Sequence, residues 1–267
     1  LTGTALNAQV TNIAVQKGQK FKSESVVQIN SSAEVMGQSM ETTMNNNATT
    51  IFEITGTGQN EISLQATIIK LLANSSSMGQ EMNYDSEKKD NSGPMADLLG
   101  PKINKAESIV IDNKGIITKR DDTGDNGQLG MMGMNNANST TTELFIPALI
   151  GRELKPGNSF TDTSSLIKEK FSSRDSGTYT ITAIENGIAS ISYSGTQIMT
   201  SVMEQMGMEM VSSSNNAVKS EIQMDVKTGL VLLKATVVDI TVNVEVSGMT
   251  IPATGKTIAT VKVTPVE

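Results

Sequence analysis

Three phrases, Met36-Gly37-Gln38-Ser39-Met40, Met78-Gly79-Gln80-Glu81-Met82 and Met206-Gly207-Met208-Glu209-Met210, set thioethers four residues apart within sequence rich in Ser, Thr and Asn. Thioether sulfur offers two kinds of chemistry. It is a soft ligand suited to Cu(I) or Ag(I), and its flexible side chain forms deformable apolar surfaces that adapt to irregular partners. Clusters such as Met131, Met132 and Met134, or Met203, Met206, Met208 and Met210, would supply several sulfurs to one soft metal ion. The same spacings of two and four residues also place methionines on one face of a strand, where they fill a core. Three uses stay open at this level: core filling, a Met-lined face for an apolar ligand (a lipid or acyl chain) or a protein partner, and Cu(I)/Ag(I) binding. The candidate binding residues are Met36, Met40, Met78, Met82, Met206, Met208 and Met210.

The rest of the inventory narrows the chemistry. The 267 residues include no histidine and no cysteine, which removes imidazole bases, thiolate nucleophiles and thiolate metal sites. Ser, Lys, Asp and Glu are plentiful, but no spacing singles out a dyad or a carboxylate pair, so no enzyme and no cofactor are expected. Asp121-Asp122-Thr123-Gly124-Asp125-Asn126-Gly127 has the composition of a calcium loop, yet an EF-hand would need a carboxylate where Gly133 stands, and a solvated acidic loop is the simpler reading. Twenty-one basic against 28 acidic residues, without a basic run, argue against nucleic-acid binding.

The elements that must position these residues are strands. Val238, Ile240, Val242, Val244 and Val246 alternate with Asp239, Thr241, Asn243 and Glu245, and Phe21 to Val35 alternates likewise against Lys22, Glu24, Gln28, Asn30 and Glu34. At Met36 the apolar parity shifts to Met36, Met40 and Met44, which predicts a bulge or bend inside a long strand. Further strands are predicted near 48–56, 61–72, 78–86, 107–120, 177–185, 188–200, 205–211, 219–226, 229–246 and 257–265. Asn113-Lys114-Gly115 and Lys227-Thr228-Gly229 are predicted hairpin loops. One short helix should run from a Ser92 cap and Pro94 to Leu99, ended by Gly100-Pro101. With aromatics at only 3% and no tryptophan, the core must be built from Ile, Val, Leu and some of the 16 methionines. No apolar run approaches the roughly 20 residues of a spanning helix, so no transmembrane segment is expected.

Landmarks recur in the same order. Lys17-Gly18-Gln19-Lys20-Phe21 matches Pro156-Gly157-Asn158-Ser159-Phe160, and Ile51, Ile54 and Glu61-Ile62-Ser63 match Ile181, Ile184 and Ser190-Ile191-Ser192. Met78–Met82 then matches Met206–Met210, and Ile111-Asp112-Asn113-Lys114-Gly115 matches Met224-Asp225-Val226-Lys227-Thr228-Gly229. The expected architecture is mainly β: two tandem, sequence-related antiparallel modules, 1–120 and 144–267, joined by a Gly/Asn/Met-rich linker at 121–143. They are expected to form a sandwich or an incomplete barrel with one or two short helices.

Lys17–Phe21, the Met-Gly-Gln-Glu-Met-Asn-Tyr-Asp-Ser run from Met78 to Ser86, Pro94-Met95-Ala96 and Lys155–Phe160 together resemble a family of unknown function among exported, often lipid-anchored, envelope proteins of Gram-negative bacteria. The resemblance implies duplication and export to the periplasm or cell surface, and it supplies no activity or site residues. A start at Leu1 and the Asn/Ser/Thr-rich texture agree with a removed export signal or an N-terminal lipid anchor.

Overall fold

The computed structural model describes residues 9–35, 37–77, 79–121, 141–205 and 208–266. The elements follow as β1 (Gln9–Val10), β2 (Lys20–Val35), β3 (Gln38–Thr57), β4 (Glu61–Ser77), β5 (Gln80–Asp85), α1 (Pro94–Leu99), β6 (Ala106–Asp112) and β7 (Ile117–Arg120). After them come β8 (Glu153–Leu154), β9 (Ser159–Lys168), β10 (Phe171–Glu185), β11 (Ile188–Gln205), β12 (Met208–Asp225), β13 (Val231–Val246) and β14 (Met249–Val266). β1 and β8 form a small ribbon, and the other twelve strands form one open antiparallel sheet in the order β7-β6-β4-β3-β2-β14-β13-β12-β11-β10-β9, with β5 also on β4.

Two repeats run in the same sense along this sheet, with β14 between them. β4 pairs with β6 through Glu61–Thr67 and with β5 through Leu72–Ser77, so β5 and β6 together occupy the place that β12 holds against β11. The backbone detail repeats as well. Gly18 (φ 89°) donates to Ile54 O at 2.7 Å and Ile54 N–H to Gln19 O at 2.9 Å, while Gly157 (φ 88°) donates to Ile181 O at 2.7 Å and Ile181 N–H to Asn158 O at 2.9 Å. A register shift follows both Ile54 and Ile181, and another falls at both Val110/Ile111 and Gln223/Met224. Such bulges are specific structural features, and each recurs at the matching place in the other repeat.

The hydrogen bonds correct the register of the match. Ile54 takes the role of Ile181, not of Ile184, and Leu64, opposite Ile54, takes that of Ile191, opposite Ile181. An apolar pattern of period two fits at several registers, so only the bonds decide among them.

One face of the sheet holds the core, concentrated at one end. Phe21, Phe52, Ile54, Leu64, Ile109 and Ile111 gather with Leu144 and Phe145; Ile181, Ile191, Ile222 and Met224 gather with Ile146 and Leu149. The short segment 144–149 thus fills both clusters. A third cluster, Leu71, Ala73 and Tyr84 with Met95 and Leu99, forms where α1 lies on the first repeat. A β-carbon placed on Gly115 would lie 3.5 Å from Ile13 Cδ1, and one placed on Gly229 would lie 3.3 Å from Asn12 O. These two turns are six strands apart in the sheet, about 29 Å if it were flat, yet consecutive residues span them, so the sheet curls around its core.

Other local expectations change. In place of a bent strand at Met36 the chain reverses: Val35 pairs with Gln38, and Gly37 takes φ 76°. Directly paired residues share a face across a hairpin, which produces the parity shift seen in the sequence. β12 is continuous where two strands were expected, β14 is longer than 257–265, and β9 had no predicted counterpart. In β12 the inward positions include Ser212, Ser214, Asn216 and Ser220, so apolar alternation disappears without loss of the strand. The helix cap is Gly93 and not Ser92, and Gly100–Lys102 continues the helix as a 3-10 turn.

Candidate functional site

The sheet's two faces differ in kind. On β13 and β14, Val238, Ile240, Val242, Val244, Val246, Ile251, Ala253 and Ala259 point to the core side and are half-buried, and Ile29, Ala33 and Val35 of β2 continue the same face. Their neighbours Asp239, Thr241, Asn243, Glu245, Thr254, Lys256, Gln28, Asn30 and Glu34 point outward and are exposed. Val26, Ile198 and Ile258 also point outward and are exposed, so the outer face is mainly polar with scattered apolar residues, unlike the continuous apolar band of a bilayer-spanning barrel. No helix among the described residues is long and apolar enough to cross a membrane.

The candidate methionines among the described residues fall at the end of the sheet away from the two core clusters. Met40 is half-buried near the start of β3, opposite Ala33; Met82 lies on β5 opposite Ser75 and is 44% exposed; Met210 is half-buried on β12. Met208 begins β12, and Met36, Met78 and Met206, like Met131, Met132 and Met134, lie outside the described residues. Backbone register aligns Met203, Met210, Val246 and Met249 in one row across β11 to β14, so the rim gains Met249, absent from the sequence candidates. Met44 instead packs on the α1 cluster and Met224 in the core. The methionines therefore divide between filling and rim.

The second repeat carries a constellation that the sequence reading missed. Asp175, Gln197 and Asn216 form a direct cross-strand row on β10, β11 and β12. Gln197 Nε2 donates to Asp175 Oδ1 at 2.7 Å, Asn216 Nδ2 to Gln197 Oε1 at 3.3 Å, and the hydroxyls of Ser173 and Ser164 donate to Asp175 Oδ2 at 3.1 and 3.4 Å. Beside the row, the rings of Tyr179 and Tyr193 meet at 4.5 Å with a 41° tilt. The Tyr193 ring lies across Gly177 and Gly195, where any β-carbon would strike it. Burial pushes both phenols above their ordinary range, and Asp162 and Asp175 push them further. Two glycines inside strands were the available signal, since an interior strand glycine marks a close approach.

Deeper in the curl, Glu143 and Lys234 lie within each other's field, crowded by chain yet still touched by solvent. Burial raises the Glu143 carboxyl, against the pull of the Ser23 hydroxyl and the Lys234 ammonium. Burial lowers the Lys234 amine, against Glu143.

Among the described residues no group of three or more His, Cys, Asp or Glu side chains is placed to hold a metal. Of the acidic loop read for calcium, Asp121 is described, and its carboxylate accepts the Ser108 N–H at 3.0 Å. That hydrogen bond is the main reason its pKa is lowered. A cleft of about 230 Å³ at the core end, lined by Asn12, Gln59, Glu61 and Asn113 among others, is below the usual size of small-molecule sites.

Residues 146–231 match the family of unknown function DUF6263. No curated protein sequence matches the chain. Among solved structures the chain is similar to the COG4313 outer membrane channel of Pseudomonas putida F1, at 8% identity and a TM-score of 0.28 over 98% of this chain and 99% of that one. It is similar also to OccK7 (OpdD) of Pseudomonas aeruginosa, at 6% identity and a TM-score of 0.28 over 94% and 100% of the two chains.

Proposed function

We propose that this chain is a non-enzymatic, exported protein of the cell envelope that holds an apolar ligand, a lipid or acyl chain, on the inward face of its curled sheet. The observation that carries the reading is the half-exposed apolar face of β13, β14 and β2 behind a mainly polar exterior. A soluble protein rarely leaves such a surface uncovered without a use. The core fills one end of the curl, and the other end is rimmed by methionines, side chains that accommodate guests of variable shape. The Asn/Ser/Thr-rich texture and the resemblance noted above support export, and the bare catalytic inventory supports binding over turnover.

Native mass spectrometry of protein purified from its own envelope tests this. A co-purifying lipid is expected, and it should be lost in Val242→Glu/Val244→Glu, whose carboxylates would stand in the apolar face. Retention of that lipid by the double variant would sink the assignment of the face. A second reading, Cu(I) or Ag(I) binding, is favoured by the Met203–Met210 cross-strand pair beside Met249. Saturable low-stoichiometry Cu(I) in the same spectra, without lipid, would select it.

A further inference from the structure

The two repeats are equivalent in backbone but not in what covers them. In the first, the chain between β5 and β6 places α1 over Leu71 and Ala73, which are 1% and 0% exposed. The second repeat runs straight through β12 and has no such insertion. Counting along the paired strands from the shared Ile54/Ile181 landmark, Ala48 corresponds to Asp175, Leu71 to Gln197 and Ala73 to Met199. Where the first repeat is apolar and capped, the second is partly polar and open. The fold therefore does not require the polar row.

The open face has a definite charge. The inward positions of β9 to β12 include two carboxylates, Asp162 and Asp175, while the one basic residue at such a position among the described residues, Lys168, stands at the far end of β9, six residues from Asp162 and roughly 20 Å along the strand. Asp175 is already aimed by Gln197, Ser173 and Ser164. Asp162 is paired with Gly177, one of the glycines beneath the Tyr193 ring. Two angled aromatic rings beside fixed carboxylates are the surroundings in which ammonium groups are bound, through ring quadrupole and ion pairing together. An anionic headgroup would be repelled from the same place.

From Gly195 the same row runs through Val218, Val238 and Thr257 to Ile29, about 19 Å across four strand spacings, which leads from the tyrosines directly onto the apolar face. We propose that the occupant is a cationic amphiphile: an ammonium headgroup held by Tyr179, Tyr193, Asp162 and Asp175, with its hydrocarbon chain lying along that row. This rests on the apolar-ligand reading and adds the sign of the headgroup.

Calorimetric titration of the full chain with three amphiphiles of equal tail, dodecyltrimethylammonium, dodecyl maltoside and dodecyl sulfate, each below its micelle concentration, tests it. Tetramethylammonium serves as a headgroup without a tail. The alkylammonium should bind roughly tenfold or more tightly than the other two amphiphiles, and tetramethylammonium only weakly. Asp175→Asn and Tyr193→Leu should each erase most of the preference for the alkylammonium over the maltoside. Asp162→Asn, at a position with fewer structural ties, supplies the same readout if either variant fails to fold. Equal binding of all three amphiphiles would overturn the headgroup assignment and leave the apolar reading standing. Binding of none would overturn both, and tetramethylammonium binding as tightly as the amphiphile would overturn the amphiphile.

Discussion

Gly115 and Gly229 occupy equivalent turns of the two repeats, six strands apart, and the same stretch of chain is wedged against both. A β-carbon on Gly115 would meet Phe145 Cβ at 2.9 Å, and one on Gly229 would meet Ile150 Cδ1 at 2.8 Å. Phe145 belongs to the segment that joins the two core clusters and Ile150 directly follows it, so these turns are where the repeats are locked to their common filling.

Gly115→Ala and Gly229→Ala should therefore each cost about 2–5 kcal/mol, combining left-handed strain with overpacking. Both positions have positive φ, 90° and 70°. Gly248→Ala is the internal control: φ is 81°, but nothing lies within 4 Å of the added carbon. It should lose only about 1–2 kcal/mol, the strain alone. Urea denaturation of the three variants checks the difference, and equal losses would show that the wedge contributes nothing.

Glu143 and Lys234 should make stability depend on pH with a definite sign. The folded carboxyl of Glu143 is raised above its ordinary 4.5, so its contribution is fully present below that value and declines as pH rises through the folded value. Lys234 is lowered from 10.5, so its contribution declines as pH falls from there through its own folded value. Glu143→Gln should flatten the acid-side slope yet cost about 1–3 kcal/mol near neutrality, because it leaves the ammonium without its partner. Adding Lys234→Met should recover part of that loss. A double-mutant cycle by chemical denaturation at several pH values would show no coupling if the two groups act independently.

All three tyrosines, Tyr84, Tyr179 and Tyr193, are held above the ordinary phenol value by burial first; nearby aspartates add to this for Tyr84 and Tyr193, and for Tyr179 the neighbouring Tyr193 comes before Asp162 and Asp175. Ultraviolet titration of the folded protein should show little tyrosinate at pH 10, with Tyr179 ionising last. Because raised folded values favour the protonated state, their contribution to stability is complete below pH 10 and is lost as pH climbs through the folded values. Ionisation at pH 10 with the fold intact would contradict the enclosure of these rings.

Replacing Met40, Met82 and Met210 with Leu should change stability by less than about 1.5 kcal/mol, since volume is nearly conserved. Apolar-ligand binding should persist in this triple variant, whereas Cu(I) affinity, if the protein has any, should fall. Loss of amphiphile binding with metal affinity intact would invert the roles assigned here to surface and sulfur.

Strand identity and repetition were legible wherever side chains alternate cleanly, as in Phe21–Val35 and Val238–Val246, and wherever glycine marks a turn, as at Gly18 and Gly157. The upper half of the second repeat was not. Ser212, Ser214 and Asn216 face inward on β12 but carry no apolar signal, since their face is open and in part polar. Tyr193 was invisible as a site residue because its importance lies in Gly177 and Gly195 beneath it, on two strands at once. Periodicity reports one strand at a time; a row that crosses strands needs the register.

β14 pairs with β13 on one side and with β2 on the other, placing Ala253 against Ala33. It is thus the seam between the repeats, and it lies later in the chain than every strand it joins. During synthesis the facing edges of β2 and β13 must wait, unpaired and aggregation-exposed, until this segment emerges. A chain assembled in that way should mature slowly and only after synthesis has passed β14, and it should depend on chaperone protection of those two edges until the seam is made.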